Sequence, residues 1–294
     1  MALTSGRGGG LSLGGVAVST LADWTINETS NTVLHSASNT AAAKMGLPGV
    51  RDWTGTANLY GNNALNASAA QIVPGSSYAF IGYNGATRDT GTVIVTAITV
   101  NCDIKGGGWL SGSIEFAGNG ALTHASGAAV TDASAPKAYS SIGCKATWTP
   151  VVSGTVGSEA DIPNVTGWSL KITADVKDIV VPSSAPWKTR LAGSAILSAT
   201  ATVNFADSDH VALTTAATRM TPGAYGILSL LVDSTNSWDL SQVLVDGVSG
   251  QGAKIETGDY EELTASYTWS AYSPISSTMT QGSITNPAGT AVYP

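Results

Sequence analysis

The chain of 294 residues nearly superposes on itself when it is shifted by about half its length. TGTANLYG (54–61) falls on TATVNFAD (200–207) at a shift of 146, matching Thr54, Thr56 and Asn58 with Thr200, Thr202 and Asn204. ALNASAAQIVPG (64–75) falls on ALTTAATRMTPG (212–223) at a shift of 148. Trp24 in DWTIN precedes Trp168 in GWSLK by 144, and WLSGSIEF (109–116) falls on YEELTASY (260–267) at 151. Several matches in one order, with a shift that drifts as turn insertions would make it, point to duplication of one unit. A duplicated unit must work twice, so the fold is constrained to a small design that can stand beside a copy of itself.

Each unit reads as mostly β. Alternating or β-branched runs mark strands at Ala22–Ile26, Thr54–Tyr60, Ser77–Tyr83, Val93–Cys102 and Trp109–Phe116. The second set is Gly167–Thr173, Ser194–Phe205, Tyr225–Val232, Gln242–Val248 and Glu262–Trp269. Gly, Asn and Asp clusters separate them. One short helix per unit is expected, over about 63–72 and 210–220, because Leu65, Ala69 and Ile72, like Leu213, Ala217 and Met220, keep one helical face before a Pro-Gly stop. The expected architecture is all-β with one short helix per unit, as two tandem β-sandwich or barrel domains. The boundaries are 1–125 for the first domain with an N-terminal arm, 126–145 for a linker, 146–273 for the second domain and 274–294 for a C-terminal arm. Residues 146–156 begin the second unit as 10–19 begin the first.

Charge narrows the function. Only 11% of residues are charged, against roughly 25% in ordinary soluble proteins. The net charge is −7. Residues 1–147 hold seven basic and seven acidic residues, and residues 148–294 six and thirteen. No basic patch could neutralise a run of phosphates, which argues against gripping nucleic acid. The first fifteen residues lack the apolar core of a signal peptide, and no apolar run reaches membrane-spanning length, so the cytosol where the chain is made is the expected compartment. Cys102 and Cys144 are too few for a disulfide framework and too far apart for a zinc motif; one bridge between them is compatible with the sequence but not deducible from it.

Chemistry is scarce. His35, His124 and His210 lack metal-ligand spacing, and the acids Asp207 and Asp209 beside His210 suit a helix N-terminus. GRGGGLSLGG (6–15) lacks the Gly-Lys-Ser/Thr ending of a phosphate loop and reads as a flexible arm. No Gly-x-Ser-x-Gly elbow is present. Trp24, Trp53, Trp168 and Trp269 lie in or beside strands, where core packing outweighs a ligand platform. Asp103, Glu115, Asp246 and Glu256 lie in or beside late strands, where solvated strand faces are a better reading than catalytic pairs. No catalytic residue, cofactor or metal is expected, and the chain reads as a non-enzyme.

A Gly-rich arm leads into a strand with a Trp (DWTIN), then LPGVRDWTGTANLYG (47–61), an Ala-rich segment ending at Pro-Gly, an apolar strand, and WLSGSIEFAGNGAL (109–122). In this order the chain resembles the major tail tube proteins of long-tailed bacteriophages. The first unit follows the pattern throughout; the second follows it from Trp168 to Trp269 but has Ser198-Ala199-Thr200 in place of Asp-Trp-Thr. The resemblance implies two packed sheets flanked by a helix, with one sheet of each domain joining a barrel that lines a lumen. It implies a duplicated version in which three chains supply six domains per ring. Rings stack into a tube through which DNA passes unbound, and arms or loops bridge successive rings. The partners implied are further copies of the chain and other tail proteins, in the virion tail, after assembly in the bacterial cytoplasm. Asp103, Glu115, Asp246 and Glu256 become candidate lumen-facing acids. Other readings are a head decoration, neck or tail terminator protein, or a carbohydrate-binding adhesive β-protein.

Overall fold

The computed structural model describes residues 9–18, 20–35, 44–60, 72–130, 139–179, 186–204, 220–233, 237–249, 264–271, 284–285 and 291–293. These residues form one antiparallel sheet of 18 strands that does not close on itself. In the first half the strands are β1 (Gly10–Leu13), β2 (Val16–Ala17), β3 (Leu21–His35), β4 (Met45–Tyr60), β5 (Ser77–Tyr83), β6 (Arg88–Asp103), β7 (Ser111–Gly118) and β8 (Thr123–Ala125). The second half has β9 (Lys145–Val152), β10 (Thr155–Val156), β11 (Ala160–Asp161), β12 (Val165–Ile179), β13 (Thr189–Asn204), β14 (Tyr225–Leu231), β15 (Ser237–Ser249) and β16 (Thr264–Ala271). Two short strands follow, β17 (Ile284–Thr285) and β18 (Ala291–Tyr293). The all-β expectation is met. The two expected helices fall almost wholly outside the described residues. Their last residues, Ile72 and Met220, are buried.

Both halves repeat one neighbour order. In the first it runs β2-β1-β5-β6-β7-β4-β3. In the second it runs β10-β9-β14-β15-β16-β13-β12. The correspondence extends to single hydrogen bonds. After each Pro-Gly turn, Gly75 N–H donates to Val95 O and Gly223 N–H to Val245 O, while Val95 N–H and Val245 N–H return bonds to Ser76 O and Ala224 O. Gly75 and Gly223 take φ of 85° and 88°, a region that only glycine enters without strain. A register irregularity follows each turn in the same place, between Val95 and Ala97 and between Val245 and Gly247.

The ladders also refine the alignment of the halves. Trp24 pairs with Ala57 and Trp168 with Ala201, so Thr56 rather than Thr54 corresponds to Thr200, at a shift of 144 instead of 146. A two-residue slip preserves the side-chain phase of a strand, so the same alternation turned inward in either alignment. Of GRGGGLSLGG, expected to be a flexible arm, residues 6–8 lie outside the described residues. From Gly10 the segment is β1, which pairs with β5 and whose Leu11 and Leu13 are buried.

The sheet curls so that β5 covers β3, β4 and β7. Phe80 of β5 meets Trp24, Trp53 and Phe116 at ring distances of 6.2, 5.3 and 5.3 Å. Trp148, Trp168, Trp238 and Trp269 fill the core of the second half. Trp53, Trp168 and Trp269 are thus packing residues, and Trp24 is half-buried against the same core. The strand β6 joins the halves. It pairs with β5 over Arg88–Ile94 and, on the edge where β5 has ended, with β12 over Ala97–Asp103. The seam is a ladder of seven register pairs, from Thr173↔Ala97 to Gly167↔Asp103. C-terminal residues 284–285 fold back onto β15, with Thr285 opposite Asp239.

Candidate functional site: a hydroxyl-rich face with acids

Strand alternation sends Ala57, Leu59, Ile114, Phe116, Ile98, Val100, Leu170 and Ala201 into the core. Their neighbours therefore share the opposite face. Reading across the ladders, that face carries Thr25 and Asn27 on β3, Thr54, Thr56 and Asn58 on β4, and Ser113 and Glu115 on β7. It continues with Thr99, Asn101 and Asp103 on β6, Ser169 and Lys171 on β12, Thr200 and Thr202 on β13, and Ser266, Thr268 and Ser270 on β16. The surface crosses the seam between the halves without interruption.

Small hydroxyl and amide side chains tie this face laterally. Thr25 and Thr56 hydroxyls lie 3.0 Å apart and those of Ser169 and Thr200 2.6 Å apart. Asn58 donates to Asp23 Oδ1 at 2.7 Å. Such cross-strand pairs stiffen a sheet without adding charge. Three of the four sequence-predicted acids lie on this face. Glu115 projects from β7 between buried Ile114 and Phe116. Asp103 ends β6 and accepts from Gly106 N–H at 2.8 Å, closing the following turn. Asp246 sits at the β15 irregularity and accepts from Ser270 Oγ at 2.8 Å. Glu256 lies outside the described residues. All three described acids are exposed, and Asp23 adds a fourth carboxylate that sequence reading missed; Lys171 is a cation in the same field.

Two polar clusters lie away from the site's centre. At one end of the sheet, Arg190 is 6% exposed and donates through Nη2 to both Asp52 oxygens at 2.6 and 2.7 Å, through Nε to Asp178 at 3.0 Å, and through Nη1 to Gly118 O. Lys188 reaches Asp52 at 3.0 Å and Asp178 at 2.8 Å. The strand hairpin of β12 and β13 thereby clamps β4 and β7 of the other half. Burial pushes Asp52 up, but hydrogen bonds from Arg190 and Lys188 outweigh it and hold the carboxyl below its ordinary value. Asp178 is lowered mainly by its bond from Lys188, and Lys188 is raised mainly by its bond to Asp178. Beside β3, His124 contacts Asp89 at 2.7 Å and Glu28 at 2.8 Å, and the bond to Asp89 raises its pKa most. Neither cluster has a sequence signal, since Asp52 and Arg190 are 138 residues apart and Asp89 and His124 are 35 apart.

Among the described residues no cluster of His, Cys, Asp and Glu could hold a metal ion, and no helix is long and apolar enough to cross a membrane. No protein-family profile matches this chain, and no curated protein matches it.

Proposed function

We propose that the chain is a structural subunit of a bacteriophage tail tube, with two tandem tail-tube-like domains, and that it acts by assembly rather than catalysis. The observation that carries this reading is the β6–β12 seam, an example inside one chain of how one strand set docks edge to edge on the next. The same pair of edges recurs at the ends of the molecule. By the repeat, β3 corresponds to β12 and Gly247–Ser249 of β15 to Ala97–Thr99 of β6. Among the described residues β3 pairs only with β4, and Gly247–Ser249 pair only with β16. An open groove lined by Trp24, Asn84 and His124 runs beside β3. Exposed edges of this kind drive association unless another strand covers them.

Each chain docks its β3 on β15 of the next. Repeating the operation joins chains head to tail, and closure after three copies gives a ring of six strand sets. The hydroxyl-rich face with Asp23, Asp103, Glu115 and Asp246 then lines the lumen. Carboxylates repel phosphates, and neutral hydroxyls add no positive charge to hold them, which suits a passage for DNA. Stacked rings, meeting other tail proteins at the ends, form the tube. The test is negative-stain microscopy of the purified chain: hollow tubes with a regular axial repeat are expected, and a monomer at every concentration would sink the reading.

A further inference from the structure

The two cysteines stand 42 residues apart in sequence, yet one short turn holds both. Cys102 lies near the end of β6 in the first half, and Cys144 immediately precedes β9 in the second. Between them a 3₁₀ turn, Ser141–Gly143, is pinned to the segment after β6: Ser141 N–H donates to Gly108 O at 2.9 Å and Leu110 N–H to Tyr139 O at 2.8 Å. The carbonyl of Ser141 is shared. It accepts from Cys144 N–H at 3.0 Å and from Cys102 Sγ at 3.8 Å. Cys144 Sγ stands 3.7 Å from the adjoining Ser140 O. Each thiol perturbs the other: Cys144, with burial, raises the Cys102 pKa, and Cys102 lowers that of Cys144. Both are free and buried.

We propose that Cys102 and Cys144 are a modification site, closing into one intrachain disulfide when the chain meets a hydroperoxide. Cys144, as thiolate, attacks one peroxide oxygen; the O–O bond breaks and the departing oxygen leaves as water or alcohol after taking a proton. Cys102 then attacks the resulting sulfenic sulfur, the S–O bond breaks, and the second oxygen leaves as water with the Cys102 proton. Two electrons pass from the sulfurs to the peroxide, and one S–S bond forms. The Ser141–Gly143 turn beside both thiols lies at the surface, with Ile142 exposed. The bond staples the end of β6, and so the seam, to the start of β9. The chemistry needs no assembly and stands independently of the tail-tube reading.

The test treats the full-length reduced chain with hydrogen peroxide under native conditions, then alkylates in denaturant and weighs it. The expected product is about 2 Da lighter and takes up no alkyl groups, as loss of two hydrogens requires. Its thermal midpoint should exceed that of the reduced chain by several degrees, as closing a loop of this length predicts. Cys102→Ser and Cys144→Ser should each abolish the mass loss. Two alkylatable thiols after oxidation, oxygen addition without a cross-link, bridging between chains, or unchanged midpoints would each overturn the proposal.

Discussion

Arg190 is buried with its guanidinium committed to Asp52, Asp178 and Gly118 O, so its partners matter more than the pair's net worth. Removing Asp52 leaves the buried guanidinium with the more exposed Asp178 as its one carboxylate partner among the described residues. Asp52→Ala is expected to cost about 3 kcal/mol in urea unfolding, and the double variant Asp52→Leu with Arg190→Met should recover much of that loss. Because Asp52 and Asp178 titrate below their ordinary value of 3.8 in the folded chain, their stabilisation is complete above that value and is lost as pH falls through the lowered ones. Acid titration of stability should therefore steepen below pH 3.8 in the native chain and flatten in Asp52→Ala. His124 has the opposite sign. Its bonds to Asp89 and Glu28 contribute fully below its ordinary 6.5 and fade as pH rises through the raised value. Its exposed ring makes that contribution small, and His124→Gln should remove the pH dependence in this window. At this scale the sequence was legible only where alternation decides. Glu115 could be placed on an outer face because Ile114 and Phe116 flank it. The Arg190 cluster could not, because its members come from distant strands and follow no period.

Strands were the legible elements. The runs expected as strands at Val93–Cys102 and Trp109–Phe116 fall within β6 and overlap β7, since a period of two is a direct imprint of the pleat. The exact alignment of the halves was less legible: Thr, Ala and Gly are interchangeable on a hydroxyl-rich face, and a two-residue slip costs the pattern nothing. The lengths of β3 and β4, and the pairing of β6 with two partners on one edge, depend on contacts across the molecule. Glycines locate the tightest packing. A Cβ at Gly91 would stand 2.8 Å from Trp53 Cζ2, and one at Gly118 would collide with the same indole, whose Nε1–H donates to Gly120 O at 3.0 Å. Gly118→Ala should therefore displace Trp53 and destabilise the chain by about 1–3 kcal/mol. Chemical unfolding followed by tryptophan fluorescence measures both effects.

For the whole molecule, the seam supplies a register for contact between copies. Thr173 faces Ala97 within the chain; by the repeat, the proposed assembly would set Thr29 of one copy opposite Gly247 of another. A Cβ at Gly247 meets only ordinary contact, with Thr268 Oγ1 at 3.5 Å. The double variant Thr29→Cys, Gly247→Cys, made with Cys102 and Cys144 replaced by serine, should yield a covalent trimer on non-reducing gels. Cross-linking that is absent, or that never reaches three chains, would contradict this register. The charge asymmetry of the sequence also takes on a location. Asp23, Asp103 and Glu115 of the neutral half lie on the proposed lumen face, whereas several acids of the other half are engaged elsewhere. Asp178 joins the ion cluster, Glu159 accepts from Thr147 Oγ1 at 2.6 Å, and Asp161 lies 3.7 Å from Lys145.

The seam has a mechanical consequence as well. Its seven register pairs run side by side along β6 and β12. Tension along the strands loads all of them at once, in shear, whereas a pull across the strands opens them one after another like a zip. A particle built by repeating this joint would resist stretching along its strands far better than prising apart across them.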